Sequence, residues 1–119
     1  MWQTISKTVM KIDFSKIEEK VVPNFKGGEG QYIMRQFADE KCKIMYGKLE
    51  PGSSIGLHRH EGNCEVMYIL SGLATFVYEG QEETVKPGEV HYNPMGKEHT
   101  LMNNGKEDLT FFAVVAEQE

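Results

Sequence analysis

Residues 52–72, GSSIGLHRHEGNCEVMYILSG, and residues 88–103, GEVHYNPMGKEHTLMN, decide how this chain is read. His58 and His60 stand two residues apart. On a strand, side chains at i and i+2 share one face, so both imidazoles can address one point in space. A helix would rotate them about 200° from each other. The segment Glu61-Gly62-Asn63 has the composition of a turn, which lets the chain double back into Cys64–Leu70. Along that return strand Glu65, Met67 and Ile69 alternate with Val66, Tyr68 and Leu70. One carboxylate therefore heads an otherwise apolar interior row. An ionised carboxylate buried without a partner is costly, and a divalent cation shared with the histidines compensates it. His99, on one face with Leu101 and Asn103 if residues 98–103 are extended, supplies a fourth donor.

These two stretches resemble the paired motifs of small single-domain cupins. The first motif runs Gly, five residues, His-x-His, three or four residues, Glu, six residues, Gly, and Gly52, His58, His60, Glu65 and Gly72 fit it. The second runs Gly, five residues, Pro-x-Gly, two residues, His, three residues, Asn, which Gly88, Pro94, Gly96, His99 and Asn103 match. The resemblance implies an all-β chain folded as a double-stranded β-helix, or jelly-roll barrel, with metal ligands His58, His60, Glu65 and His99. It implies a homodimer as well, in which the N-terminal segment could pair with a neighbour's sheet edge. It does not fix the chemistry, because the family spans dioxygenases, isomerases, decarboxylases, lyases, sugar-binding modules and storage proteins.

The rest of the chain agrees with a β-barrel. Extended runs are expected at residues 31–37 and 42–49, as a hairpin, and then near 55–60, 64–70, 73–78, 82–86, 90–93, 98–103 and 109–116. Ser-Gly, Glu-Gly, Pro-Gly and Asn-Gly signals separate them. Residues 1–30 read as an extension packing on a barrel of residues 31–119. Within the extension, Ser15-Lys16-Ile17-Glu18 has the spacing of a capping box and predicts at most one short helix before Pro23. Residues 25–30, FKGGEG, read as a flexible connection.

At 119 residues there is material for one core and not two. Thirteen basic against eighteen acidic residues, with no dense Lys/Arg cluster, argue against nucleic acid as a partner. No stretch reaches the ~20 apolar residues of a membrane span, and the opening residues lack the pattern of a secretory leader. Cys42 and Cys64 stand in no metal or redox spacing and read as free thiols of a cytoplasmic protein.

Three neutral imidazoles and one carboxylate suit Fe, Mn, Ni, Co or Zn as divalent ions, not the all-oxygen sites of calcium and magnesium. On an octahedral ion, four protein ligands leave two positions for an oxygen ligand, whereas a tetrahedral zinc would be saturated. The charge left over is +1. It favours a small anionic or oxygen-rich molecule, either transformed by dioxygenase, isomerase or lyase chemistry or simply bound. Met67, Ile69, Leu101 and His91 are the pocket candidates, with Tyr46, Phe76 and Phe111 as further possible lining. His91 lies outside the motif positions and reads first as a structural or surface residue, with contact to a ligand or a proton-shuttle role as its alternatives. Arg59, between two ligands, is expected to point outward into a salt bridge.

Overall fold

The computed structural model describes residues 10–118 and folds them into two packed antiparallel sheets. The strands in chain order are β1 (Lys20–Pro23), β2 (Gln31–Ala38), β3 (Cys42–Leu49), β4 (Ser54–Arg59), β5 (Asn63–Ser71), β6 (Ala74–Tyr78), β7 (Gln81–Val85), β8 (Val90–Asn93), β9 (Glu98–Met102) and β10 (Leu109–Glu117). The larger sheet runs β1-β2-β3-β10-β5-β8, and the smaller runs β4-β9-β6-β7. From β3 onward the chain passes back and forth between the sheets, apart from the β6–β7 hairpin within the smaller one, and β3 and β10 lie side by side, the jelly-roll arrangement. Among the described residues, no helix is long and apolar enough to cross a membrane.

Alternation builds the core. Leu49, Met67, Ile69, Phe76, Leu101, Leu109 and Phe111 are sealed between the sheets, and the residues between them on each strand face out. Burying such a side chain is worth roughly 1.5–3 kcal/mol, so this one cluster dominates the favourable side of folding. Gly47 on β3 lies beneath Phe111, whose ring stands 2.5 Å from where a Cβ would sit, so the strand leaves room there for the aromatic ring.

Strand β4 departs from strict alternation in a way that matters for the site. Its pairing with β9 runs Ile55↔Leu101 and then His58↔His99, with two residues, Gly56 and Leu57, set against one, Thr100. This bulge at Gly56–Leu57 lets Ile55 and His58 both point inward although their parity differs. The turn at Pro94–Gly96, with Gly96 at φ 85°, returns the chain into β9 and delivers His99 opposite His58.

The N-terminal expectations need correction. No capping-box helix forms; a single 3₁₀ turn spans Phe14–Lys16, and its cap is Asp13, whose Oδ1 accepts from the Ser15 amide at 3.0 Å. The following residues, with Val21 and Val22 favouring extension, become β1 on the edge of β2 of the same chain. Residues 1–9, and with them that part of the expected extension, lie outside the described residues. Residues 25–30 are no free connection either. They close a 3₁₀ turn at Phe25–Gly27 and lie against β4, where a Cβ on Gly28 would meet the Ser54 carbonyl oxygen at 2.2 Å and one on Gly56 the Lys26 carbonyl oxygen at 2.0 Å. The Ser54 amide donates to the Glu29 carbonyl at 2.8 Å.

That backbone contact generates a prediction. Gly56→Ala forces two main chains apart where no side chain can yield, so it should cost more than the ~1–3 kcal/mol of ordinary overpacking. Urea unfolding compared with Gly52→Ala measures it. Gly52 has open space around its Cβ position, so that variant reports only the backbone penalty of its positive φ.

Candidate metal centre

Four donors meet between the sheets. His58 comes from β4, His60 from just past its end, His99 from β9 of the same sheet, and Glu65 from β5 of the other. The three Nε2 atoms form a nearly equilateral triangle, each 3.2 Å from the next, and Glu65 Oε1 stands 3.0 Å from His60 Nε2 and 3.2 Å from His99 Nε2. All four donor atoms fall within 4.8 Å of one another. At a metal distance of about 2.1 Å, adjacent donors stand about 3.0 Å apart on an octahedron and about 3.4 Å on a tetrahedron. The observed spacing lies between the two.

The outer nitrogen of each ring decides what the inner one offers. His58 Nδ1 donates to the Gly56 carbonyl at 2.8 Å, and His60 Nδ1 donates to Asn63 Oδ1 at 2.6 Å. Both acceptors lack a proton to give, so both Nε2 atoms carry free lone pairs. His99 is held through a longer chain: Glu83 Oε1 accepts from His91 Nδ1 at 2.7 Å, and His91 Nε2 accepts from His99 Nδ1 at 3.1 Å. His99 Nε2 is then also unprotonated. With all three rings neutral, three lone pairs and a carboxylate converge and repel one another, and either a proton or a cation removes that repulsion. The donor set therefore fits a divalent transition metal on the chemistry of its own hydrogen bonds.

Electrostatics agree. Burial pushes His58 down to about 4, with the neighbouring His99 and His60 adding to the effect against the Gly56 carbonyl. Burial alone would depress His60 as well, but hydrogen bonding and attraction to Glu65 outweigh it and hold this imidazole above its ordinary 6.5. Burial alone would raise Glu65, yet its bonds to His60 and His99 hold the carboxyl down at about 2. The buried pair of Glu65 and His60 thus takes up either a proton or a metal.

The donors open onto a cavity of about 370 Å³. Ile55, Met45, Met67, Leu101 and Val115 form apolar walls, while Gln36, Lys26, Lys43, Arg59, Glu61 and Asn63 supply the polar part. Arg59 pairs with Glu98 at 3.4 Å and donates to the Gly96 carbonyl.

Of the expected pocket residues, Met67 and Leu101 line this cavity and two others do not. Ile69 is fully buried one step deeper among core side chains. His91 is 2 % exposed, stacked on Phe76 at 3.8 Å behind His99, so it touches a ligand and not the cavity. Phe76 and Phe111 are core residues that do not reach the cavity either, and Tyr46 points to the opposite face of its sheet, with its ring 6.0 Å from Phe14.

Glu83 and the carbonyl of Gly56 were invisible from sequence, because a surface glutamate in Gln-Glu-Glu-Thr and a backbone oxygen carry no motif. Asn63 showed only its turn character. A polar Glu83 facing His91 across two hairpins can be recognised only once the register is known.

The chain shares features with known proteins. Residues 45–115 match the family described as Cupin domain. Over 114 residues it is 36% identical to the oxalate-binding protein of Thermotoga maritima, covering 91% of this chain and 94% of that protein. It superposes with a TM-score of 0.85, at 35% identity, on a Thermotoga maritima structure described as a predicted oxalate decarboxylase, covering 91% of this chain and 99% of that one. A putative sugar phosphate isomerase from Acidithiobacillus ferrooxidans matches with a TM-score of 0.71 and 25% identity, over 86% of this chain and 68% of that one.

Two expectations follow. Replacing His91 by Phe keeps the stack on Phe76 but strips His99 of its acceptor, and should weaken metal affinity about 10- to 100-fold, measured by competition with a chromophoric chelator. Because His60 binds its proton more tightly than an ordinary imidazole, apparent metal affinity should climb as pH rises from about 6 to 8, by up to about tenfold per unit where that proton must leave. A flat profile over that range would contradict the assignment of His60 as a donor.

Proposed function

The chain belongs to the cupin domain family, and from that premise we propose that it holds a divalent transition metal on His58, His60, Glu65 and His99 and captures a small carboxylate there. The observation that carries this reading is the convergence of three Nε2 atoms, each 3.2 Å from the next, with Glu65 Oε1 at 3.0 Å from His60 and 3.2 Å from His99. A divalent ion bound there supplies Lewis acidity for an oxygen ligand. Fe, Mn, Ni, Co and Zn all suit the donor set.

The surroundings favour an anion. One carboxylate offsets half of a divalent charge, and Lys26, Lys43 and Arg59 line the same cavity against a single further carboxylate, Glu61. The name of the 36% identical relative points to oxalate as the first compound to try. The cavity is larger than oxalate requires and would also admit a longer dicarboxylate or an α-keto acid.

Capture is favoured over turnover by what the inner wall offers. Beyond the four ligands, its titratable group is Tyr32, whose hydroxyl burial pushes well above its ordinary range and which lies 3.9 Å from Met45 Sδ. Such a group neither gives nor takes a proton readily near neutrality. The free thiols Cys42 and Cys64 and the net charge of −5 support a cytoplasmic protein without a nucleic-acid partner.

The test begins with stripped protein reloaded separately with Mn(II), Fe(II), Co(II), Ni(II) and Zn(II). Isothermal titration with oxalate should give saturable binding to at least one loaded form and none to the stripped protein. Glu65→Ala and His58→Ala should lose metal and oxalate together, while Arg59→Ala keeps its metal. Equal oxalate binding with and without metal would refute the proposal, and release of formate and carbon dioxide would replace capture by a lyase function.

A further inference from the structure

Two cations face the metal cavity without an anion to answer them. On β3 the inward positions are Lys43, Met45, Gly47 and Leu49, so a lysine stands where alternation calls for an apolar side chain. Its neighbours in register are Ala38 of β2 and Val115 of β10, and neither offers it a partner. Val115 is in turn in register with Glu65 of β5, so the backbone of Lys43 lies two strand spacings, roughly 10 Å, from that of the carboxylate donor. Lys26 comes from the side of the smaller sheet, on the 3₁₀ turn packed against β4, where its carbonyl lies over Gly56. That turn holds it at φ 56°, a left-handed conformation unfavourable for any residue but glycine. Its Nζ stands 5.5 Å from the centroid of the Phe25 ring, which lines the same cavity. Among the described residues neither ammonium comes within salt-bridge distance of a carboxylate, whereas Arg59, the third cation of the cavity, is taken up by Glu98.

We propose that Lys26 and Lys43 form a second anion subsite, and that the ligand is a linear dicarboxylate longer than oxalate, with one acid group at the metal donors and the other between the two ammonium groups. The inference rests on the metal-bound carboxylate proposed above and adds the far end of the molecule. Oxalate fills only part of a cavity of about 370 Å³ and, held on the buried donors, leaves the exposed lysines at the outer end unengaged. Val115 fills the interval between Lys43 and Glu65 in their row, an apolar surface for the methylene groups of a longer chain. Gln36, in register with Met45, adds an amide to the outer end. Charge is divided in the same way. A divalent ion with Glu65 would carry one positive charge at the inner end, and Lys26 and Lys43 against Glu61 carry one at the outer end. That division matches an acid group at either end of one molecule, and a single outer charge suits a carboxylate better than a doubly charged phosphate.

Calorimetric titration of the full chain tests the idea, loaded in turn with Mn(II), Fe(II), Co(II), Ni(II) and Zn(II), at low ionic strength so that exposed charges are not screened. The ligands are oxalate, malonate, succinate, glutarate and adipate, each of the longer diacids compared with its own half-amide. At least one diacid beyond oxalate should bind about tenfold more tightly than its half-amide. Lys43→Met and Lys26→Asn together should reduce that ratio to about twofold or less, with oxalate affinity held within about threefold. Asparagine is chosen at position 26 because it accepts the left-handed backbone, and unchanged metal content shows that the variant is folded. Lys48→Met removes the same charge from the outward face of β3 and should leave the ratio intact. Oxalate binding with no diacid preferred over its half-amide refutes the second subsite and leaves metal capture standing, as does a preference that survives both lysine substitutions or falls equally in Lys48→Met. If every loaded form ignores oxalate and the whole series, the metal-bound reading fails and this inference with it.

Discussion

Three imidazole lone pairs pressed within 3.2 Å of each other form an arrangement that an apolar interior does not tolerate unaided, and much of the architecture serves to hold it. The two sheets contribute unequally: β4 and β9 bring the histidines, while β5 brings the single carboxylate from across the sandwich. A cation bound there would tie the sheets together. Since the unfolded chain has no preformed site, part of its binding free energy would become folding free energy. Without the ion, a proton on His60 shared with Glu65 partly does the same work, which explains why that imidazole holds its proton tightly while the carboxyl releases its own.

Much of this was legible in the sequence because it depends on short-range parity. His58 and His60 had to share a face if their segment was extended, and Glu65, Met67 and Ile69 had to share theirs. What escaped was long-range. The bulge at Gly56–Leu57 cannot be read from β4 alone, since it exists only relative to β9, and strict alternation would have turned Ile55 outward. His91 presents the same difficulty. Lying outside the motif positions, it read first as a structural or surface residue, and only the pairing of Met67 with His91 and the nearness of Glu83 put it behind His99. Ile69 failed as a lining residue for the complementary reason, that one face of a strand passes from cavity to core within a few residues.

The N-terminal errors have a different physical origin. A capping box counts only if a helix follows, and Val21-Val22 together with a free edge on β2 offered a better set of hydrogen bonds than a short isolated helix could. Likewise the glycines of FKGGEG looked like freedom and proved to be clearance. Gly28 and Gly56 are small because two backbones pass each other there, with Lys26 held at φ 56° in the process. That contact presses the loop onto the strand bearing His58, so a segment read as loose helps fix the position of a metal donor and lends Lys26 and Phe25 to the cavity wall.

On the proposed function, the choice of one carboxylate and three imidazoles would be a compromise between holding a metal and leaving it attractive to an anion. A second carboxylate in place of a histidine would bind a divalent ion more strongly but cancel its charge, and an acidic ligand would then gain little by approaching. With three neutral rings a divalent ion would keep a net charge of +1, and its hold would have to be recovered elsewhere. The outer hydrogen bonds do this: the Gly56 carbonyl, Asn63 and the Glu83–His91 pair each draw on an Nδ1 proton and make the opposite nitrogen a better donor. Glu83 would serve this balance best, because a carboxylate two hydrogen bonds removed from the donor cluster would strengthen His99 without neutralising an ion at the point where the proposed carboxylate ligand would arrive.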